Sequence, residues 1–437
     1  MRGLAFRALH ASVGLVNSIY FDNASTSWPK PPEVSAGMER FLRDAAGNPG
    51  RGGHEAALAS TRIMEDVRAR LARMIGASDS SRVVHCFNGT DALNMAIKGV
   101  LREGDHVVCT ALDHNSVSRP LAALQDAGVV DFTRIGVGSD GFVDPQDVHR
   151  ALRTNTRLVT VPHASNVTGS IQPVEEIGRA VREHGALFLV DAAQTVGVIE
   201  VNVSAMQADL LAAPGHKGLL GPTGTGFLYV GERATLRAWR EGGTGSDSSR
   251  LRQPEELPAA LEAGTPNTVG IAGLQGALDW RDHGAATRAE RGRATENQAE
   301  APSVGETEAF IGAGALSGSR AGASAGLLAR ERCVVRQIAE CATELSGVRI
   351  AGPLPSDRTV ALLSLVFEEL SALDAAAILE ASFGIQVRAG LHCAPFMHAA
   401  LGTSPDGTVR FSPGPFTTVV EADCVCAALR TMADGAA

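Results

Sequence analysis

From residue 83 to residue 230 the chain alternates short runs of β-branched and large apolar residues with segments whose apolar positions recur at helical spacing. The runs fall at 83–87, 107–109, 158–161, 187–190 and 226–230, and helices are expected between them, at 90–102 and 174–184 among others. Near-continuous apolar strands separated by helices predict an α/β fold, a mainly parallel central sheet covered by helices on both faces. In such sheets a ligand lies outside the carboxyl ends of the strands. Polar residues follow the runs at that edge: Thr90, His114, Asn166 and Asp191.

Beyond residue 284 the pattern changes. In 312–326, thirteen of fifteen residues are Gly, Ala or Ser, so a flexible surface insertion is expected at 285–326, with a helix resuming near Leu327. Segments 360–367 and 385–388 read as strands and 420–432 as the last helix. The expected organisation is an N-terminal extension (1–19), a large domain (20–284) whose first residues pack with the small domain, the insertion (285–326), and a smaller α+β C-terminal domain (327–437).

Composition narrows the function classes. The chain has 437 residues, 44% hydrophobic and 20% charged, as in a globular protein. Its net charge of −9 is spread without a basic run, which argues against nucleic acid as a partner, and no apolar stretch suits a membrane span. Residues 1–18 lack the compact apolar core of a signal peptide and read as a short extension. Seven cysteines form no disulfide framework and suit a reducing cytoplasm. Cys424-Val425-Cys426 has no second ligand pair at metal spacing, so no metal site is expected.

The chemistry concentrates in two places. Asp191 ends the apolar run Leu187-Phe188-Leu189-Val190, and Lys217 closes Pro214-Gly215-His216-Lys217 ahead of a glycine-rich turn. A carboxylate delivered by a strand and a lysine among small residues suit pyridoxal 5'-phosphate, which needs a lysine for its Schiff base and an acid at its ring nitrogen. Asn88-Gly89-Thr90 follows a strand and opens a helix, a place where backbone N–H groups and a hydroxyl receive a phosphate, or simply a capped turn. His114 stands where an imidazole can stack on a flat ring and exchange protons, while Asn166 and Gln194 can donate to a phenolic oxygen.

These residues resemble the class V aminotransferase family of fold-type I pyridoxal-phosphate enzymes, and within it the cysteine desulfurases, especially the SUF-type branch that includes selenocysteine lyases. The resemblance runs through Tyr20-Phe21-Asp22-Asn23-Ala24, Arg51-Gly52-Gly53-His54, Gly89-Thr90-Asp91-Ala92, Ser165-Asn166-Val167-Thr168-Gly169, Asp191-Ala192-Ala193-Gln194, Gly215-His216-Lys217, Glu262-Ala263-Gly264-Thr265-Pro266-Asn267 and Arg388-Ala389-Gly390-Leu391-His392-Cys393-Ala394. It implies that Lys217 carries the cofactor, Asp191 pairs with the pyridinium and His114 stacks on the ring. Gln194 and Asn166 would face the phenolic oxygen. Gly89, Thr90 and His216 would hold the phosphate, with Thr265 supplied by the other subunit of a homodimer. Arg410 would bind the substrate carboxylate, Arg388 would stand at the pocket edge, and His54 would line the entrance.

The resemblance makes Cys393 the discriminating residue: its thiolate would take sulfur from L-cysteine, leaving a persulfide and releasing alanine, with Arg388 and His392 supplying positive charge. A separate sulfur-acceptor protein is implied by analogy. Alternatives are a selenocysteine lyase, a class V transaminase, lyase or epimerase that does not use Cys393, and a non-catalytic sulfur-relay scaffold. The chain departs from the family pattern at Pro214, where Ser or Thr is common, at Asp113-His114-Asn115, and in the insertion.

Overall fold

The structure, a computed structural model, describes residues 18–50, 52–138, 140–245, 249, 251–296 and 320–435. Residues 1–17 of the expected extension (1–19), most of the expected insertion, and Arg51 lie outside the described residues.

In chain order the strands are β1 (Ile19–Tyr20), β2 (Val83–Cys86), β3 (Asp105–Thr110), β4 (Val130–Ile135), β5 (Thr156–Pro162), β6 (Leu187–Asp191), β7 (Leu210–Pro214), β8 (Gly226–Val230), β9 (Val348–Ile350), β10 (Leu363–Phe367), β11 (Ile385–Gln386), β12 (Arg388–Gly390) and β13 (Thr408–Phe411). Seven of them form one sheet in the order β2-β8-β7-β6-β5-β3-β4. Neighbours from β7 to β4 pair in parallel, and β8 pairs antiparallel with both β7 and β2. Thus β8 alone is reversed, and the carboxyl ends of β2, β3, β5, β6 and β7 share one edge.

Strand residues alternate between two apolar layers, as a period of two requires. Val108, Val159, Val161, Phe188, Val190 and Phe227 pack into one layer with the helix Glu55–Met74, through Val67 and Leu71. Val107, Leu158, Leu187, Leu189, Leu210 and Leu228 pack into the other with the helix Gly89–Val100, through Leu93 and Ile97. The strand residues named are fully or almost fully buried, each contributing about 1.5–3 kcal/mol of transfer free energy.

A second sheet, β12-β13-β10-β9, is antiparallel and packs with the helices Arg320–Thr343, Ala372–Phe383 and Val419–Gly435 in its own apolar cluster. β1 pairs in parallel with β11, so the start of the described chain sits with this second unit. Cys424 and Cys426 lie on the last helix, half-buried and buried.

Three readings change. The helix Thr268–Glu296 runs into the expected insertion and the next helix starts at Arg320, ahead of Leu327; the small residues of 320–326 are helical. The single strand expected at 385–388 divides at Val387 into β11 and β12, which pair with different partners. β4 and β7 were not legible as runs: β4 is an edge strand interrupted by Asp131, Thr133 and Arg134, and β7 reads Leu-Leu-Ala-Ala-Pro, without a β-branched residue.

Candidate functional site

The shared carboxyl edge opens on a cavity of about 210 Å³. Its walls include Gly89, Thr90, His114, Asn166, Asp191, Gln194, His216, Lys217, Arg388 and Arg410, ten of the residues singled out in the sequence.

After β2, Asn88 caps the helix Gly89–Val100, accepting from the Asp91 N–H at 2.8 Å. The N–H groups of Gly89 and Thr90, in the first turn, have no acceptor within the helix and stand at its positive end. A Cβ added to Gly89 would meet the Pro214 ring at 3.3 Å, so the small residue here and the proline in place of Ser or Thr fit each other. The Thr90 hydroxyl lies 2.8 Å from that of Ser116.

After β3, His114 accepts the Ser116 N–H through Nδ1 at 3.0 Å, so the proton of the neutral ring sits on Nε2. Burial, and then the cations Lys217, Arg388, Arg119 and Arg410, push its pKa down to about 4. At neutral pH His114 is an uncharged ring.

Asp191 ends β6 with its carboxylate buried, accepting from the Ala193 N–H at 3.0 Å. Burial raises its pKa, opposed by that hydrogen bond and by Lys217. Lys217, just past β7, is pushed down to about 8 by burial and by Arg410, with Asp191 pulling the other way. An amine with that value is a better nucleophile at neutral pH than an ordinary lysine. His216 beside it has a buried Nδ1 with no partner, and burial, Lys217 and Lys30 push its ring down to about 4.

This donor set fits a phosphorylated pyridine aldehyde. It offers an amine for the carbonyl, a buried acid for a ring nitrogen, and for a phosphate the helix start and the Thr90 hydroxyl. The orphaned Nδ1 of His216 is the observation that most calls for a ligand.

Two arginines also line the cavity. Arg410, on β13, is 1% exposed. Its Nη1 donates to the Asn166 carbonyl at 2.8 Å, its Nη2 to Asp22 at 2.9 Å and to Ser25 at 2.8 Å, and its buried Nε has no partner. Arg388, on β12, donates to Ser25 at 2.8 Å and to the Cys393 sulfur at 3.4 Å. Cys393 is partly exposed, with φ +60, following His392 at φ +47. Two consecutive left-handed non-glycine residues cost on the order of 1–3 kcal/mol each. They are held by Asn115, whose N–H donates to the Cys393 carbonyl at 2.7 Å, and by Asn166, whose side chain donates to the His392 carbonyl at 2.6 Å.

One expectation is corrected. His392 does not charge the thiol's surroundings: it is 2% exposed, bonded to Thr408 at 2.9 Å, and burial with Arg410, His398 and Arg388 pushes it down to about 2. Arg388 provides the cation. Two other residues stand apart from the cavity within one chain. His54 is exposed and caps the helix Glu55–Met74 through Ala57 at 3.3 Å. Thr265 lines a different cavity of about 200 Å³, beside Arg68, His85 and Glu262. Asp22 and Ser116 stood in the sequence motifs without a role, and Ser25 in none; these are short polar residues whose roles exist only as hydrogen bonds in the folded chain. The only signal was their nearness to Ala24 and His114.

A sheet with one reversed strand and a lysine–carboxylate pair at its carboxyl edge defines a fold-type I α/β enzyme. The family model for class-V aminotransferases matches residues 19–303 and 319–425, and the chain belongs to that family. Over 416 residues it is 34% identical to a probable cysteine desulfurase of Methanothermobacter thermautotrophicus, covering 93% of this chain and 92% of that one. It is 35% identical over 265 residues to the cysteine desulfurase IscS of Dictyoglomus turgidum, covering 60% of this chain and 63% of that one. The apo structure of a cysteine desulfurase from Thermococcus onnurineus superposes with a TM-score of 0.80 at 30% identity, over 96% of this chain and 95% of that one. Class-V aminotransferases and cysteine desulfurases are families that depend on pyridoxal phosphate. Among the described residues no helix is long and apolar enough to cross a membrane.

Proposed function

We propose that this chain is a pyridoxal-phosphate-dependent cysteine desulfurase that converts L-cysteine to L-alanine and collects the sulfur on Cys393. The observation that carries the reading is the placement of Cys393. Its sulfur lies 3.4 Å from the Arg388 guanidinium, and Arg388 itself lines the cavity that holds Lys217 and Asp191.

The residues that would hold the cofactor are Lys217 at its aldehyde, Asp191 at its ring nitrogen, His114 over its face, and Gln194 and Asn166 near its phenolic oxygen. Its phosphate falls to Gly89, Thr90 and His216, joined by Thr265 of a second copy in a homodimer. When bound, the group withdraws electrons from the substrate's α-carbon and so loosens the bond between β-carbon and sulfur.

The chain's own residues do the rest. Arg410, charged and water-poor, binds the substrate carboxylate, a task for a fork of parallel N–H donors, and its orphaned Nε gains an acceptor. Lys217, depressed to about 8, takes and returns the α-proton. His114 presents an Nε2 proton toward the cavity and stays neutral while doing so. Arg388 donates to the Cys393 sulfur at 3.4 Å and so orients the nucleophile, which acts as the thiolate. That thiolate attacks the substrate sulfur: an S–S bond forms, the carbon–sulfur bond breaks, and its electron pair stays on the β-carbon. The β-carbon takes up a proton, the substrate thiol's proton in net balance, giving alanine and a persulfide on Cys393. A separate acceptor protein then takes the sulfur.

Cys393→Ser tests the reading. The variant is expected to bind the cofactor with an unchanged visible spectrum and to release neither alanine nor sulfide from cysteine. Full activity in that variant would overturn the assignment.

A further inference from the structure

We propose that Ser25 is a positioning residue, setting the spacing between the arginine that takes the substrate carboxylate and the arginine that faces the nucleophile. The roles of those two arginines rest on the desulfurase reading; the linkage between them rests on geometry alone.

The Ser25 hydroxyl accepts from Arg388 Nη1 at 2.8 Å and from Arg410 Nη2 at 2.8 Å, and donates to Asp22 Oδ1 at 2.7 Å. A hydroxyl has one hydrogen and two lone pairs, so these three bonds use its whole capacity. Ser25 is thereby an acceptor common to both guanidiniums, and Asp22 is the counter-charge that lets two cations share it. Asp22 also accepts from Arg410 directly at 2.9 Å.

Each arginine leads on from Ser25 to the same loop. Arg388 turns its other terminal nitrogen to the Cys393 sulfur at 3.4 Å. Arg410 donates to the carbonyl of Asn166, whose side chain holds the carbonyl of His392, the residue before Cys393. Arg410 is 1% exposed, so no water replaces a lost acceptor there, and burial together with Arg388 already lowers its pKa to about 10. Arg388 is only partly buried. Without Ser25, mutual repulsion drives it toward solvent, and Cys393 loses its fixed cation.

The effect therefore reaches the thiol as well as substrate binding, which separates positioning from a merely structural role. In the cofactor-loaded enzyme, Ser25→Ala is expected to slow alkylation of Cys393 by iodoacetamide at pH 7 about three- to tenfold, read on the Cys393 peptide by mass spectrometry. The KM for L-cysteine should rise roughly tenfold, as Arg410 loses an orienting bond. Ser25→Thr, which keeps the hydroxyl, should return both values to within about twofold of the parent. In an Arg388→Gln background, Ser25→Ala should slow alkylation no further, because both changes remove the same contact.

Alkylation at the parent rate with an unmoved KM in Ser25→Ala would overturn the proposal. So would a Ser25→Thr variant as impaired as Ser25→Ala. Should Ser25→Ala not fold, Ser25→Gly, which likewise removes the hydroxyl, is read in its place. The alkylation measurement needs no turnover. A parent enzyme that releases no alanine would sink the desulfurase reading and leave this test standing.

Discussion

The amine of Lys217 is held near pH 8, against an ordinary value of 10.5, and this makes a quantitative prediction. At pH 7 about one Lys217 in ten carries a free lone pair, against about one in 3,000 for an ordinary lysine, a gain of roughly 300-fold in the reactive form. The attachment rate of pyridoxal phosphate to the apoenzyme, followed by its visible absorption between pH 6 and 10, should rise about tenfold per pH unit up to about 8 and then level. Arg388 is among the cations that depress Lys217, so Arg388→Gln should move the break to higher pH. Stability follows the same group with a definite sign. Between about 8 and 10.5 the unfolded chain binds a proton that the folded one does not, so apoenzyme stability gains from this group as pH rises. The gap corresponds to about 3 kcal/mol at most, and partial exposure of Lys217 reduces the expected gain to about 1–2 kcal/mol. An attachment rate that keeps climbing to pH 10 would refute the argument, because Lys217 would then be an ordinary lysine.

Further expectations follow from neighbouring residues. Asp191→Asn removes the buried acid proposed to face the ring nitrogen and should lower turnover of L-cysteine by about 10²–10³, with substrate binding less affected. Because His114 is neutral down to about 4, the rate profile should show no acid limb near 6.5 from an imidazole; a limb there that disappears in His114→Gln would contradict this. Glu262 pairs with Arg68, which is 1% exposed, at 2.7 Å and also accepts from the His85 N–H at 2.6 Å. Glu262→Gln should therefore destabilise by about 2–4 kcal/mol in urea unfolding, measured against the parent holoenzyme.

The parts of the fold that were legible in the sequence are those written in a local pattern. β2, β3, β5, β6 and β8 show as apolar runs, and Val174–His184 appears with the bounds read for it, because its amphipathic period and the left-handed Gly185 after it mark both ends. β7 was not legible, since its small residues pack well only between β6 and β8. The site divides in the same way. Residues that end strands, such as Asp191, or open helices, such as Thr90, announce themselves by position. Ser25 and Asp22 do not, because they meet Arg388 and Arg410 from more than 360 residues away in the chain. His392 shows the converse error. Beside a cysteine in the sequence it reads as a cation, yet the chain turns through two left-handed residues and buries it.

The central claim is that sulfur leaves L-cysteine onto Cys393. The most direct test is a single turnover of the cofactor-loaded enzyme with L-cysteine in the absence of reductant, measuring alanine and mapping the added sulfur by peptide mass spectrometry. The account predicts one alanine per active site and a gain of one sulfur atom on the Cys393 peptide alone. Alanine formed with no sulfur on that peptide, or sulfur on another cysteine such as Cys333, would contradict it.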